Sequence, residues 1–220
     1  MTTGRGEPTK PVSEAAAALL RHLRERTAPA GGLVTVGIDG RSGSGKSTLA
    51  EALAAELTAD GEGPVTVIAG DDFYSGGSAA TWDRLTNAER ADRVMDRRRQ
   101  RDVLEQLRST GVAHWHPFDW DSDDWDRDIA PFEAEPVVAH AARVIVLEGA
   151  YSCRPELHDL LDLRVLLDVP DHVRRRQLLQ REGDSHRADW DVRWSSAEDH
   201  YFAVVMPPDR FDLLLGSFHG

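Results

Sequence analysis

The sequence predicts an α/β domain: a parallel sheet of about five strands, helices on both faces, and a helical lid. Three observations lead there. Short β-branched runs alternate with helix-forming stretches, as in right-handed βαβ units. One run feeds a glycine-rich loop, Gly40-Arg-Ser-Gly-Ser-Gly-Lys46-Ser47, that opens directly into a helix. Acidic residues stand just past the ends of two further runs. In open parallel sheets, ligands gather at those carboxyl ends.

Taken in order, residues Met1 to Lys10 are polar and read as frayed. Pro11 and Ser13 can start a helix running to about Arg26, with Leu19, Leu20 and Leu23 as its apolar stripe. Pro29 to Gly32 links it to a first strand, Leu33–Ile38. The helix after the glycine loop covers Leu49 to Leu57, and Asp60–Pro64 is a turn. Val65–Ala69 reads as a second strand, ending in Gly70-Asp71-Asp72-Phe73-Tyr74. Thr86 to about Arg108 reads as mainly helical, with Arg97, Arg98, Arg99 and Arg101 on a solvated face that pairs with nearby acids. Val112–Pro117 alternates like a short strand, and the acidic stretch Asp119–Asp128 follows. Arg143–Leu147 and Arg164–Asp168 are two more strands, the first ending in Glu148-Gly149. Pro170 opens a helix carrying Arg174, Arg175 and Arg176. Gly183–Asp189 is polar. A helix around Ser195–Val205 stops at Pro207-Pro208, and Phe211–Leu215 is the last strand.

The glycine loop has the spacing Gly, four residues, Gly-Lys-Ser. Its glycines let the backbone turn back and bring amide N–H groups against phosphate oxygens, helped by the helix N-terminus. Gly40, Ser42, Gly43, Ser44, Gly45, Lys46, Ser47 and Thr48 are therefore the expected nucleotide-binding residues. Lys46 would bridge the β- and γ-phosphates of ATP, and the Ser47 hydroxyl would ligate Mg2+. Asp71 is the natural carboxylate to accept an acceptor's proton or to hold a metal-bound water, with Asp72 as its rival. Glu148 ends a buried apolar strand, as a metal-organising acid does. Arg181 and Arg187 suit a lid closing over the γ-phosphate, with Arg174 as a weaker candidate.

Composition narrows the classes. The chain has 220 residues and a formal net charge of −12, which argues against a duplex or membrane-surface binder. No apolar run approaches a membrane span, and the start lacks a signal-peptide core. Cys153 is the only cysteine, so no internal disulfide forms. A cytoplasmic protein is expected. Asp119–Asp128 resembles a calcium loop only superficially, since Asp124 stands where glycine is needed. His114 and His116 lack a third ligand nearby in sequence for zinc. There is no Gly-Xaa-Ser-Xaa-Gly elbow of an esterase.

The motif Gly37-Ile-Asp-Gly-Arg-Ser-Gly-Ser-Gly-Lys-Ser-Thr48, the segment Asp71-Asp-Phe-Tyr74 and the run Val144-Ile-Val-Leu-Glu-Gly149 together carry a resemblance. So do Phe118-Asp119-Trp120, the helix from Asp168 to Arg181, and Tyr201-Phe202, Pro207 and Phe211-Asp212. The chain resembles the uridine kinase-like branch of P-loop small-molecule kinases, which includes nicotinamide riboside kinases and phosphoribulokinases. The resemblance implies a P-loop NTPase fold over residues 31–220, with a lid about 171–192 and residues 1–30 as an extension bearing one helix. It implies transfer of the ATP γ-phosphate to a small-molecule hydroxyl, most simply that of a nucleoside or ribosyl compound. Asp71 matches the catalytic carboxylate, Glu148 the second metal-organising acid and Arg181 a lid arginine. Tyr74 completes the aspartate-aromatic segment. Phe118 and Asp119 match the start of the nucleoside-binding segment. From the residues themselves, most of Trp82, Trp115, Trp120, Trp125, Trp190 and Trp194 read as packing residues, with one or two, Trp120 first, expected to stack on a ring of the acceptor. Asp96 and Asp92 both suit the ribose-binding aspartate. Two positions depart from the pattern: Asp123 replaces a histidine and Leu178 a lid arginine. No nucleic-acid or membrane partner is expected, and a homo-oligomer stays open.

Overall fold

A computed structural model of the chain describes residues 10–27, 32–122, 131–183 and 188–216. Seven strands occur among them: β1 (Val34–Asp39), β2 (Val65–Ala69), β3 (Val112–Trp115), β4 (Val137–His140), β5 (Val144–Glu148), β6 (Leu163–Asp168) and β7 (Leu213–Gly216). Five of them form one parallel sheet in the order β2-β5-β1-β6-β7. The helices are α1 (Lys10–Thr27), α2 (Lys46–Ala59), α3 (Ala79–Asp83), α4 (Asn87–Arg93), α5 (Arg97–Thr110), α6 (Asp171–Glu182) and α7 (Ala188–His200). This is the P-loop NTPase α/β fold, with α1 and α2 on one face of the sheet and α4, α5 and α7 on the other.

Strand periodicity divides the core into those two layers. On β5, Val144 and Val146 join the cluster under α1 and α2, while Ile145 and Leu147 join the opposite one. Both faces of the sheet are covered by helices, which is why the parallel strands read as unbroken apolar runs. Helix α1 belongs to the first layer through Ala16, Leu19 and Leu23, packed with Leu49, Leu53 and Leu57 of α2. Arg24 at its far end pairs with Asp60 and Glu62 in the turn after α2.

The stretch 86–108 is mainly helical as expected, in two helices separated at Val94–Asp96. Met95 there forms an antiparallel bridge with Tyr74, which pulls the chain out of helical geometry. Asp96 restarts it by accepting the amides of Arg98 and Arg99. The predicted strand at 112–117 does form, but it pairs with β4, from Val112 opposite His140 to Trp115 opposite Val137. This small antiparallel sheet stands beside the main one and delivers Trp115 to the end of β2. The arginine run is also less uniform than a solvated face. Arg97 and Arg101 pair with acids, but Arg99 stacks on Phe73 and Phe132 and donates to the His116 carbonyl.

Because Leu19 is fully buried between α1 and α2, Leu19→Ala should destabilise the chain by about 2–5 kcal/mol, the range for truncating a core leucine. Urea denaturation should show a lower midpoint at unchanged slope. An unchanged midpoint would mean that α1 does not fold as part of the domain.

Candidate active site

The loop after β1 is shaped for an anion. Gly40 and Gly43 have φ of 154° and 77°, where side chains are strained. A Cβ at Gly40 would lie 2.5 Å from the Leu167 carbonyl oxygen, and one at Gly43 would lie 2.5 Å from that of Arg174. Both positions therefore demand glycine twice over. Gly45 caps α2 in the left-handed region with no side-chain cap, so the first-turn amides keep their capacity for a ligand. Lys46 is buried and its Nζ donates to the Arg41 carbonyl at 3.1 Å. The Ser44 hydroxyl is buried without a hydrogen-bond partner among the described residues. A polyphosphate supplies the acceptor oxygens that such a cradle lacks.

Sheet register brings the acids to this loop. Ile38, Glu148 and Ala69 are cross-strand partners on β1, β5 and β2. Asp71 lies one turn beyond, in the 3-10 segment Gly70–Phe73. Glu148 is only 7% exposed. Burial first, and the charge of Asp71 second, push its pKa up, while Lys46 and a hydrogen bond with Ser47 pull it back. Ser47, Lys46, Asp71 and Glu148 thus meet, from three separate stretches of chain. One hydroxyl and two carboxylates are hard oxygen donors, a set that fits Mg2+.

The structure separates the two neighbouring aspartates. Asp72 accepts the Trp115 indole N–H at 2.7 Å, and its carbonyl accepts the Phe118 amide. Burial raises its pKa, against that indole bond. Asp72 is thus committed to the join between the two sheets, whereas Asp71 faces a cavity of about 550 Å³.

That cavity lies between the loop, the end of β5 and helices α6 and α7. Ser42, Asp71 and Arg181 are polar points on its wall; Tyr74, Trp120, Tyr151, Trp190 and Trp194 supply rings. Tyr74 organises them, stacking on Trp120 at 5.0 Å and meeting Trp194 edge-on at 5.9 Å. Trp120 is half exposed.

Not every expected acceptor residue reaches the cavity. Phe118 is 2% exposed and packs edge-on behind Tyr74 at 4.9 Å, so it supports the wall without lining it. Asp119 accepts the amide of Asp121, and Asp96 caps α5. Asp92 pairs with Arg154 and Arg97. Arg174 is buried, pairs with Asp171 and abuts Gly43 through its carbonyl, which makes it a buttress of the loop. Arg187 and Asp123 lie outside the described residues, as does most of the acidic stretch.

Among the wall residues, Tyr151, Asp191 and Glu198 were not singled out from the sequence, and Trp190 and Trp194 stood only within the group of six tryptophans. The spacing of Trp190 and Trp194, four apart on one helix, was the available signal. Glu198 is 1% exposed and accepts both the amide (2.8 Å) and the hydroxyl (2.6 Å) of Ser42. Asp199, next to it, pairs with Arg41 at 2.6 Å. Helix α7 therefore grips the phosphate loop with one turn and walls the cavity with another.

A cradle for phosphates opening onto a separate walled cavity, with a carboxylate at the junction, defines a P-loop phosphotransferase with a hydroxyl acceptor. The chain belongs to the AAA-domain family, whose model matches residues 36–201, and it is similar to uridine kinases and other P-loop kinases. A uridine kinase of Leuconostoc citreum is 27% identical over 177 residues, covering 79% of this chain and 78% of that one. A candidate fructose transport system kinase from Silicibacter has a similar structure, with a TM-score of 0.64 at 28% identity, covering 90% of this chain and 98% of the other. A candidate uridine kinase from Bacillus stearothermophilus shares the fold, with a TM-score of 0.64 at 22% identity, over 93% and 97% of the two chains. No described helix is long and apolar enough to cross a membrane.

The raised pKa of Glu148 gives a signed test. A carboxyl that titrates higher in the folded state favours folding at low pH, and that contribution is lost as pH rises through the folded pKa. Glu148→Gln should therefore raise the melting temperature of the ligand-free protein at pH 8, with the gain vanishing near pH 4. A constant offset across that range would show that Glu148 carries no folding-linked charge penalty.

Proposed function

We propose that the chain is a magnesium-dependent ATP kinase for a hydroxyl of a nucleoside or ribosyl compound, acting in the cytoplasm without a nucleic-acid or membrane partner. The observation that carries this reading is the position of Asp71. It lines the acceptor cavity and stands close enough to Glu148 to raise that group's pKa beside Ser47 and Lys46.

On this reading the loop 40–48 orients the triphosphate through its amides, and Lys46 offsets charge on the transferring group. Ser47, Glu148 and Asp71 would hold Mg2+, which when bound supplies charge neutralisation between the phosphates. Asp71 takes the proton from the acceptor's hydroxyl as its oxygen bonds to the γ-phosphorus and the bond to the ADP oxygen breaks. Arg181, on the cavity wall at the end of α6, screens the charge of the phosphoryl group. Tyr74 and Trp120 hold a ring of the acceptor by stacking. The uridine kinase relative supports a nucleoside acceptor; the transport-system kinase, at similar identity, supports a sugar as the second reading. Tryptophan faces accommodate either.

The experiment is a screen of nucleosides, sugars and vitamins for ATP-dependent mass gain, with ATP consumption followed alone and with each acceptor. A kinase should be nearly idle alone and consume ATP when its acceptor is added; brisk hydrolysis with no acceptor present would favour an ATPase instead. Asp71→Asn should lower turnover by at least ~100-fold, the scale of general-base work, with ATP binding largely kept. Asp72→Asn should act mainly on stability, since its carboxylate serves Trp115. Equal turnover losses from both variants would remove Asp71 from the role of base.

A further inference from the structure

Two polar atoms on the cavity wall have no role in the reading above. Glu198 spends Oε1 on the Ser42 amide and hydroxyl. Its Oε2 is buried with no hydrogen-bond partner among the described residues. The Tyr151 hydroxyl is in the same condition, on a residue 2% exposed. Both residues line the cavity. The charge of Glu198 reaches the Tyr151 phenol: after burial it is the next cause of that group's raised pKa, ahead of Asp39, with Arg154 and Arg41 acting the other way. Tyr151 reaches this place through a left-handed backbone, φ 67°, the one non-glycine residue with positive φ among those described. Such strain persists only where the surroundings enforce it. A buried carboxylate oxygen without a donor is costly, and a ligand that donates to it recovers that cost.

The charge around the cavity says which donor fits. Its described lining carries three carboxylates, Asp71, Asp191 and Glu198, against one cation, Arg181. The rings beside them present the negative faces that attract a cation. An anionic or purely acceptor-type group would be repelled here. We propose that Glu198 and Tyr151 form a recognition point for a protonated amine on the acceptor: an ammonium N–H donates to Glu198 Oε2, a second donates to the Tyr151 hydroxyl oxygen, and the indoles of Trp190 and Trp194 pack around the group. The substrate class is thus a hydroxyl compound that also carries an ammonium group. This rests on the kinase reading above and narrows its acceptor.

Matched pairs test it: 3′-amino-3′-deoxyadenosine against adenosine, and glucosamine against glucose. Each pair is measured for turnover with ATP, and for quenching of tryptophan fluorescence in the full chain saturated with a non-hydrolysable ATP analogue. The amine member should be preferred in at least one pair. Glu198→Gln, which keeps an acceptor for Ser42, should shrink that preference on the order of tenfold, the scale of one charge-assisted hydrogen bond. Tyr151→Phe should shrink it by a smaller factor. The amine/neutral ratio is internal to each variant, so a general loss of folding or ATP binding cancels. Turnover of the neutral members with no amine preference, or a preference unmoved by Glu198→Gln, overturns the proposal while leaving the kinase reading intact. Amine-selective quenching without turnover supports the recognition point and overturns the kinase reading. No quenching by any of the four compounds overturns this proposal.

Discussion

Everything in the site is hung on the carboxylate of Asp39. It is the last residue of β1 and fully buried. Oδ1 accepts the amides of Gly40 and Tyr151, and Oδ2 accepts the Cys153 amide and the Tyr201 hydroxyl. Burial pushes its pKa up, and those bonds, with Lys46 nearby, hold it down. Four donors on two oxygens are what a buried carboxylate needs to be tolerated. The donors come from the start of the phosphate loop, from the segment after β5 and from the turn after α7. One side chain therefore joins the glycine loop, the cavity wall after β5 and the turn that follows α7. Each bond to such a charge is worth about 1.5–3 kcal/mol, so the three elements are fastened to one another at this point.

The same logic divides the site into a rigid half and an adaptable half. On the phosphate side, Gly40 and Gly43 press against the backbone of Leu167 and Arg174, so the cradle allows almost no side-chain variation. On the cavity side, the wall and its support are rings whose centroids lie 4.7 to 6.1 Å apart, joined through side chains rather than through backbone contacts. Helix α7 bridges the halves. Glu198 and Asp199 face the loop, Trp190 and Trp194 face the cavity, and Arg193 pairs with Asp83 of α3 across the top. A fold built this way keeps its nucleotide chemistry while its acceptor changes, which accords with relatives whose names carry different acceptors.

What could be read from the sequence was what is local. The strand, glycine loop and helix are contiguous, so their residue types specify the cradle directly. Glu148 and Asp71 were legible at one remove, because parallel topology carries strand ends to one edge. The choice between Asp71 and Asp72 was not legible. It depends on Trp115, 43 residues away in a small sheet whose second strand, β4, is only four residues long. Asp96 illustrates the opposite difficulty: an aspartate just before a helix is an N-cap by local rules, and a family resemblance made it a ligand. Tyr151, Glu198 and the two lid tryptophans could not be assigned, because only the docking of α7 against the loop turns ordinary packing residues into a wall.

A kinase must also keep water from taking the phosphoryl group, and the distribution of burial bears on that. The phosphate-facing acid, Glu148, is almost sealed, while Trp120, at the cavity's open side, is half exposed. An acceptor entering past Trp120 would cover the remaining opening itself. On the proposed reading the rings would exclude water only once the acceptor is bound, and the lowered dielectric would strengthen each charge contact at that moment. On the proposed reading, selectivity against hydrolysis follows from the acceptor completing the wall. That requires no large closure of the fold: α7 is already tied to the phosphate loop through Glu198 and Asp199, and the turn that follows it is tied through Tyr201 to Asp39.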